Sequence, residues 1–220
     1  ICNHSLAIGK KKELIEKYHE GLIATTCCLG ASVPKTILKR GEEAGEEEFK
    51  WWYNIFGEDY YVELQRHGIP DQDKVNDVLK KLADKYNVKV IATNDSHYVD
   101  VSDYNAHDIL LCINTGEKKS TPIVKEYLED EEGAKKNSRF GFYNDQFYFK
   151  TTQEMSQLFA DLPQAIDNTN DIVDKVEYLD LKRDILLPNF PIPPNFLTQM
   201  QYLRHLTFEG AKRKYGTITK

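Results

Sequence analysis

The spacing of apolar positions changes along the chain, and each change marks an element. From Glu46 onward Phe49, Trp52, Tyr53 and Phe56 fall at i, i+3, i+4 and i+7. That spacing puts all four on one face of a helix, and Gly57 supplies its stop. "DQDKVNDVLKKLADKYN" (71–87) shows the same period more cleanly: Val75, Val78, Leu79, Leu82 and Tyr86 line one face and charge occupies the other. "DYYVELQ" (59–65) alternates and is rich in β-formers, which predicts a strand. "GLIATTCCLG" (21–30) is a short β-branched and apolar run between glycines, a second strand. "VKVIAT" (88–93) is nearly continuous in apolar residues, as in strands buried inside parallel sheets. Further helices are expected over 11–20, from Pro34, and over 102–116 with Ser102 as N-cap and Gly116 as stop.

Strand and helix alternate three times, which predicts an α/β fold of parallel strands covered by helices. The pattern changes after Gly116. Residues 117–145 are polar around "EDEEGAKK" and predict a long surface loop. "QFYFK" (146–150) predicts a short strand, and two helices are expected over 152–160 and 163–176. "LLPNFPIPPN" (186–195) is a proline-rich connector that regular helix excludes. An amphipathic helix is expected over 198–216.

Composition is that of a globular protein: 220 residues, 40% hydrophobic and 29% charged. That length supports a core without a covalent staple. The net charge of −6 does not advertise a nucleic-acid surface. A local basic one remains open: Arg204, Lys212, Arg213 and Lys214 of the last helix either meet a phosphate backbone or form a solvated face. No run of about 18 apolar residues predicts a membrane span, and no secretory signal opens the chain. The first residue is not Met, so the chain is expected to begin inside a longer protein. Cys2, Cys27, Cys28 and Cys112 form no regular framework, which predicts reduced thiols and a cytoplasmic setting.

Candidate chemistry lies where the strands end, because parallel α/β folds gather ligands at the carboxyl ends of their strands. The first strand ends at Cys27 and Cys28, the second at Arg66 and His67, and the third at Asn94, Asp95 and His97. Cys28, Asp95 and His97, with His67 as a further candidate, are placed to converge on one rim. Thiolate, imidazole and carboxylate are the ligands of Zn²⁺ and similar ions, which acidify water for attack on phosphorus. Each residue also has a plainer reading. Asp-x-His is a common capping or surface pair, Cys28 suits a small buried apolar site, and His67 suits a loop. The chain shows no glycine-rich phosphate loop and no Ser-His-Asp arrangement.

Five stretches carry a family resemblance, in this order: "KELIEKYHEGLIATTCCLGASVP", "YYVELQRHGI", "VKVIATNDSHYVDVSDYNAHDILLCINTGE", "NDQFYFKTTQEM", and "LLPNFPIPP" followed by "YLRHLTFEGAKRKYG". Together they resemble the alpha subunits of bacterial DNA polymerase III, from about Lys12 to the end of the chain. The resemblance implies that residues 1–117 are the later part of a polymerase-and-histidinol-phosphatase (PHP) domain, a distorted (β/α) barrel with a metal site in its mouth. It implies a surface loop over 118–145 and a mainly helical connector over 146–220 leading toward the polymerase palm.

In family members that keep the metal site, the Cys of "C-L-G" and the Asp and His of "N-D-x-H" are ligands. The resemblance thus carries Cys28, Asp95 and His97 over as holders of Zn²⁺ or Mn²⁺, and does not extend to Cys27, His67 or His107. It implies template-directed DNA synthesis by the parent, with Mg²⁺ at a polymerase site outside this chain. The PHP part is then a metal-dependent 3′→5′ exonuclease or a structural remnant of one. Implied partners are DNA, the sliding clamp, the proofreading subunit and the clamp loader. The family's upstream His-x-His motif does not occur here, so three ligands do not make a complete site. Two other readings stand beside this one: a stand-alone PHP phosphoesterase, and a non-catalytic stabilising or docking module. A few barrel strands without neighbours also expose sheet edges, so the fragment alone is expected to be marginal or oligomeric.

Overall fold

A computed structural model describes residues 8–124, 138–180, 182, 184–185 and 189–216, with side chains from residue 12 onward. Two units are distinguished, Ile1–Glu177 and Tyr178–Lys220.

The first unit is built on three parallel strands in the order β1-β2-β3: β1 (Ala24–Thr25), β2 (Tyr60–Leu64) and β3 (Val90–Ala92). Helices α1 (Ile8–Tyr18), α2 (Ser32–Arg40), α3 (Glu42–Phe56) and α4 (Pro70–Tyr86) precede and join them, and α5 (Tyr104–Thr115) follows. The α/β class with parallel strands is the one expected from the alternation.

Side chains alternate along a strand, and the two faces of this sheet differ accordingly. Tyr60, Val62 and Leu64 of β2 enter the main core with Val33 and Ile37 of α2, Phe49 of α3, and Val75, Leu79 and Leu82 of α4. Tyr61 and Glu63 take the other face. The apolar stripes expected on α3 and α4 are the stripes that pack. Trp52 and Tyr53 sit at the core margin, while Phe49 is fully buried.

The second strand starts one residue later than its pattern suggested, and the first keeps only two paired residues. Thr26 still donates its N–H to Tyr61 O at 3.1 Å, but Cys27 turns into the left-handed region at φ 59° and the ladder stops there. The helix expected over 102–116 begins at Tyr104, preceded by a 3₁₀ turn over Val101–Asp103. Its cap is a reciprocal Asp100–Asp103 pair rather than Ser102, because the carboxylate at Asp103 reaches back to the Asp100 N–H at 3.1 Å.

The span 163–176 splits into α7 (Gln164–Asp167) and α8 (Thr169–Lys175). Two side chains at the break act on backbone carbonyls. Thr169 Oγ1 donates to Ile166 O at 2.6 Å, and Asn168 Nδ2 donates to Val90 O at 2.8 Å. The second contact covers part of the outer edge of β3. Helices α6 (Thr152–Leu158), α7 and α8, which the resemblance grouped with the connector, belong to the first unit. Phe159 and Ala165 are both fully buried in the main core, and Arg66 grips Leu158 O and Asp161. "QFYFK" does not form a ladder; it makes a single parallel bridge, Tyr98↔Tyr148.

The flanks of the expected surface loop are held by one buried ion pair, and residues 125–137 lie outside the described residues. Arg139 forms a two-pronged bond with Asp108 of α5, at 2.6 and 3.0 Å. Its remaining donors go to Thr121 O, Phe140 O and Lys119 O. This ties 119–124 and 138–140 onto α5.

The second unit consists of an extended segment and α9 (Gln199–Tyr215), whose Thr198 side chain accepts from the Gln201 N–H. Phe196 packs on Tyr202 and His205 with ring centroids 5.0 and 5.1 Å apart. Of the proline-rich connector, residues 186–188 lie outside the described residues. No helix among the described residues is long and apolar enough to cross a membrane.

One packing contact yields a direct test. Gly45 of α3 lies against Ile37 of α2 so closely that an added Cβ would clash with Ile37 Cγ1 and press on its Cα. Ile37 is in the core and cannot swing away. Gly45→Ala is expected to cost about 1–3 kcal/mol despite its better helix propensity. Urea denaturation of wild type and variant reads the difference.

Candidate functional site

The strand ends do share one rim, and a middle-strand carboxylate ties them together. Glu63 projects from the polar face of β2. It accepts from Thr25 Oγ1 beside it on β1 at 2.5 Å and from Thr93 Oγ1 just past β3 at 2.5 Å. Gln65 Nε2 adds a third bond at 3.1 Å. Three strands are thus pinned to one carboxylate, one layer below the rim. The sequence carries a signal for this, a charged residue within the otherwise apolar "YYVEL", which strand periodicity alone leaves without a role.

Above Glu63 the first rim loop carries the two thiols. Cys27 is exposed and Cys28 half-buried. The bond from Cys28 lowers the Cys27 thiol to about 7, against opposing effects of burial and the nearby carboxylates of Glu63 and Asp95. Cys28, Glu63, Gln65 and Asn76 line a small cleft that opens to solvent.

The third rim loop is more elaborately held. Asp95 takes a left-handed backbone at φ 46°, and burial pushes its carboxyl up from the usual range. His97 Nδ1 lies 2.7 Å from Asp95 O, and a carbonyl only accepts, so Nδ1 carries the proton. The Asp95 carboxylate is 3.9 Å from the same nitrogen. In the neutral ring this leaves Nε2 as the lone-pair nitrogen, the one that a metal would take. Asn94 holds the loop from below, donating through Nδ2 to Gln146 O and Tyr148 O. The "QFYFK" segment, expected as a strand, therefore serves as the brace of the third loop.

His67 lies in the loop between β2 and α4, as its plainer reading expects, but it is buried there. It is 1% exposed and its ring stacks on Phe147 at 3.9 Å. Nε2 bonds Asn94 O at 2.8 Å and Nδ1 faces Gln72 Nε2 at 3.0 Å. Nε2 must donate to the carbonyl, so Nδ1 accepts, and no nitrogen is left for a metal. Burial drives its pKa down to about 4, so the ring is neutral. It acts as a strut under Asn94.

Of the residues expected at the metal, Asp95 and His97 are brought together. Cys28 stands on the same rim, but among the described residues no three His, Cys, Asp or Glu side chains come close enough to share an ion. The donor types and the His97 tautomer fit a divalent ion in kind. In number the set is incomplete. A residue without a role in the pattern stands nearby: His107, in the first turn of α5, has its ring centroid 5.8 Å from that of His97.

Comparison with known proteins bears on this arrangement. A family model described as PHP domain matches residues 4–67, so the thiol loop falls inside the match and the "NDSH" loop beyond it. The chain is 43% identical over 211 residues to a DNA polymerase III subunit alpha of Borreliella burgdorferi, covering 94% of this chain and 17% of that protein. It is 38% identical to the Thermus aquaticus subunit, over 93% of this chain and 16% of that protein. For Deinococcus radiodurans the figures are 35%, 92% and 14%. The chain thus spans 17% or less of the length of these relatives.

Proposed function

Since the chain belongs, as a segment, to the family of DNA polymerase III alpha subunits, we propose that its parent performs template-directed DNA synthesis and that this segment supplies the rim of a divalent-cation site. The same reading makes DNA and the other replicase subunits (sliding clamp, proofreading subunit, clamp loader) the partners, the cytoplasm the location, and Mg²⁺ the ion of a polymerase centre elsewhere in the parent. A stand-alone phosphoesterase fits less well, because the similarity continues over nearly the whole chain and past the PHP match.

The observation that carries the site reading is the bond of His97: Nδ1–H is spent on Asp95 O, which leaves Nε2 as the nitrogen for a metal. In this reading Cys28, Asp95 and His97 contribute ligands to Zn²⁺ or Mn²⁺, and further ligands come from outside the described residues. A cation bound there would acidify a water for hydrolysis of a phosphodiester, the chemistry of a 3′→5′ exonuclease. The residues of this chain set its position. Asn94 and His67 hold the third loop, Glu63 holds the spacing between loops, and Asp95 O orients the imidazole.

A second reading is a structural remnant, and the lack of a three-ligand cluster among the described residues favours it. One experiment separates the two. The intact protein and its Asp95→Asn/His97→Ala variant are assayed for release of 3′-terminal nucleotides and for primer extension. Asparagine tolerates the left-handed backbone at 95, so the loop is preserved. Loss of exonuclease by at least about a hundredfold with extension retained supports the catalytic rim. Absence of exonuclease from wild type, with extension normal, leaves the remnant.

A further inference from the structure

Helix α5 carries a second apolar face. Asp108 and Cys112 are buried and mark its inner side, where Asp108 pairs with Arg139. Ala106, Ile109, Leu110 and Ile113 fall at i, i+3, i+4 and i+7 on the opposite side, and all four are exposed. Leu110 and Ile113 reach 61% and 73% exposure. The two long helices of the same unit show what a solvent face looks like in this chain. Opposite its buried stripe, α3 exposes Glu43, Glu47, Lys50 and Asn54, and α4 exposes Lys74, Asp77, Lys81 and Asp84. α5 contains no Lys, Arg or Glu, and its one Asp is the buried Asp108. A helix that is apolar on both sides is a helix that becomes covered on both sides.

We propose that the outer face of α5 is covered by an apolar helix of the same parent polypeptide, from outside residues 1–220. The proposal rests on the reading of this chain as a segment of a longer polymerase, and it goes beyond that reading by naming a surface and its occupant. The stripe has the spacing whose ridges fit the grooves of a second helix. Its lack of charge is the character of permanent interfaces, which resemble a core cut in half, whereas surfaces that exchange partners keep polar groups. Its size points to a tethered occupant. Four side chains are few beside the roughly 20–30 residues a side of a stable interface between separate proteins. A partner on the same polypeptide needs less, because the tether holds it at a high effective concentration. The material for such a partner exists in the relatives described above: this chain spans 17% or less of each, so most of their polypeptide lies outside the aligned segment.

The test uses the intact parent, purified without other subunits. The photo-cross-linking residue p-benzoylphenylalanine replaces Leu110 or Ile113, and Lys74 on the charged face of α4 as control, and cross-linked peptides are identified by mass spectrometry. The expected result is a cross-link from 110 and 113, at several times the yield of the control, to a peptide of the same polypeptide outside residues 1–220. A second variant, Leu110→Glu/Ile113→Lys, reads the sign. On a solvent-facing helix the i, i+3 ion pair so introduced is neutral or mildly stabilising. On a covered face it is expected to lower the melting midpoint of the intact protein by about 3 °C or more. A cross-link to a second copy or within residues 1–220, a yield no greater than the control, or a melt unchanged or raised in the double variant overturns the proposal. Primer extension by wild type in the same preparation reports on the polymerase reading separately.

Discussion

Replacing Arg139 with alanine is expected to destabilise the protein by about 3–5 kcal/mol, a large share of the stability of a domain this size. The side chains of Arg139 and Asp108 are 4% and 5% exposed, so removing the guanidinium leaves a carboxylate buried without its counter-ion. Three carbonyls, of Lys119, Thr121 and Phe140, lose their donor at the same time. Arg139→Lys is expected to recover little of this, because an ammonium cannot make the two-pronged bond or reach those carbonyls together. The double variant Asp108→Leu/Arg139→Met separates the effects: it removes the stranded charge and is expected to be markedly more stable than Arg139→Ala alone. Urea denaturation of the set is the measurement. A loss below about 1 kcal/mol in Arg139→Ala would mean the pair is solvated and the flanks of the 118–145 segment are not held by it.

The second large effect is a loss of stability in acid through His67. Its ring is neutral in the folded protein with a pKa near 4, against about 6.5 in an unfolded chain. The sign follows from proton binding. Below 6.5 the unfolded state binds a proton that the folded state refuses. Stability from this group is therefore complete above pH 6.5 and drains away as pH falls toward 4, by about 3 kcal/mol. Carboxylates contribute in a lower window. Asp161, held down to about 2 by Arg66, loses its contribution only as pH falls below the ordinary carboxylate range. A His67→Gln variant, which keeps a donor for Asn94 O and an acceptor for Gln72, isolates the histidine. Its stability is expected to be lower than wild type at pH 7 but flatter between pH 6.5 and 4. Parallel slopes for the two proteins over that range would show that His67 protonates without cost.

Much of this fold was legible because core packing follows hydrophobic period. The stripes on α3 and α4 and the apolar run of β3 lie where periodicity put them, since each must bury one face. What was missed depends on single side chains acting over distance. The break at Asn168 combines a local bond, from Thr169 to Ile166 O, with one from Asn168 to Val90 O, 78 residues away in sequence, which no local pattern encodes. The first strand looked long because its composition is apolar, yet Cys27 turns at positive φ after two paired residues, a choice that β-propensity does not encode. At the site, the strand-end rule brought Asp95, His97 and Cys28 to one rim. It also offered His67, which the plainer reading kept in a loop; "RHG" gives no hint that Phe147, 80 positions later, covers the ring. It was silent on His107, whose nearness to His97 exists only once α5 folds back.

The central claim is that the "NDSH" rim holds a metal ion, and elemental analysis of the intact protein, purified without chelator or added metal, tests it most directly. Wild type is expected to carry stoichiometric Zn or Mn, and the Asp95→Asn/His97→Ala variant is expected to lose it while retaining primer extension. Wild type free of both metals with normal primer extension, or equal metal in wild type and variant, would contradict the claim.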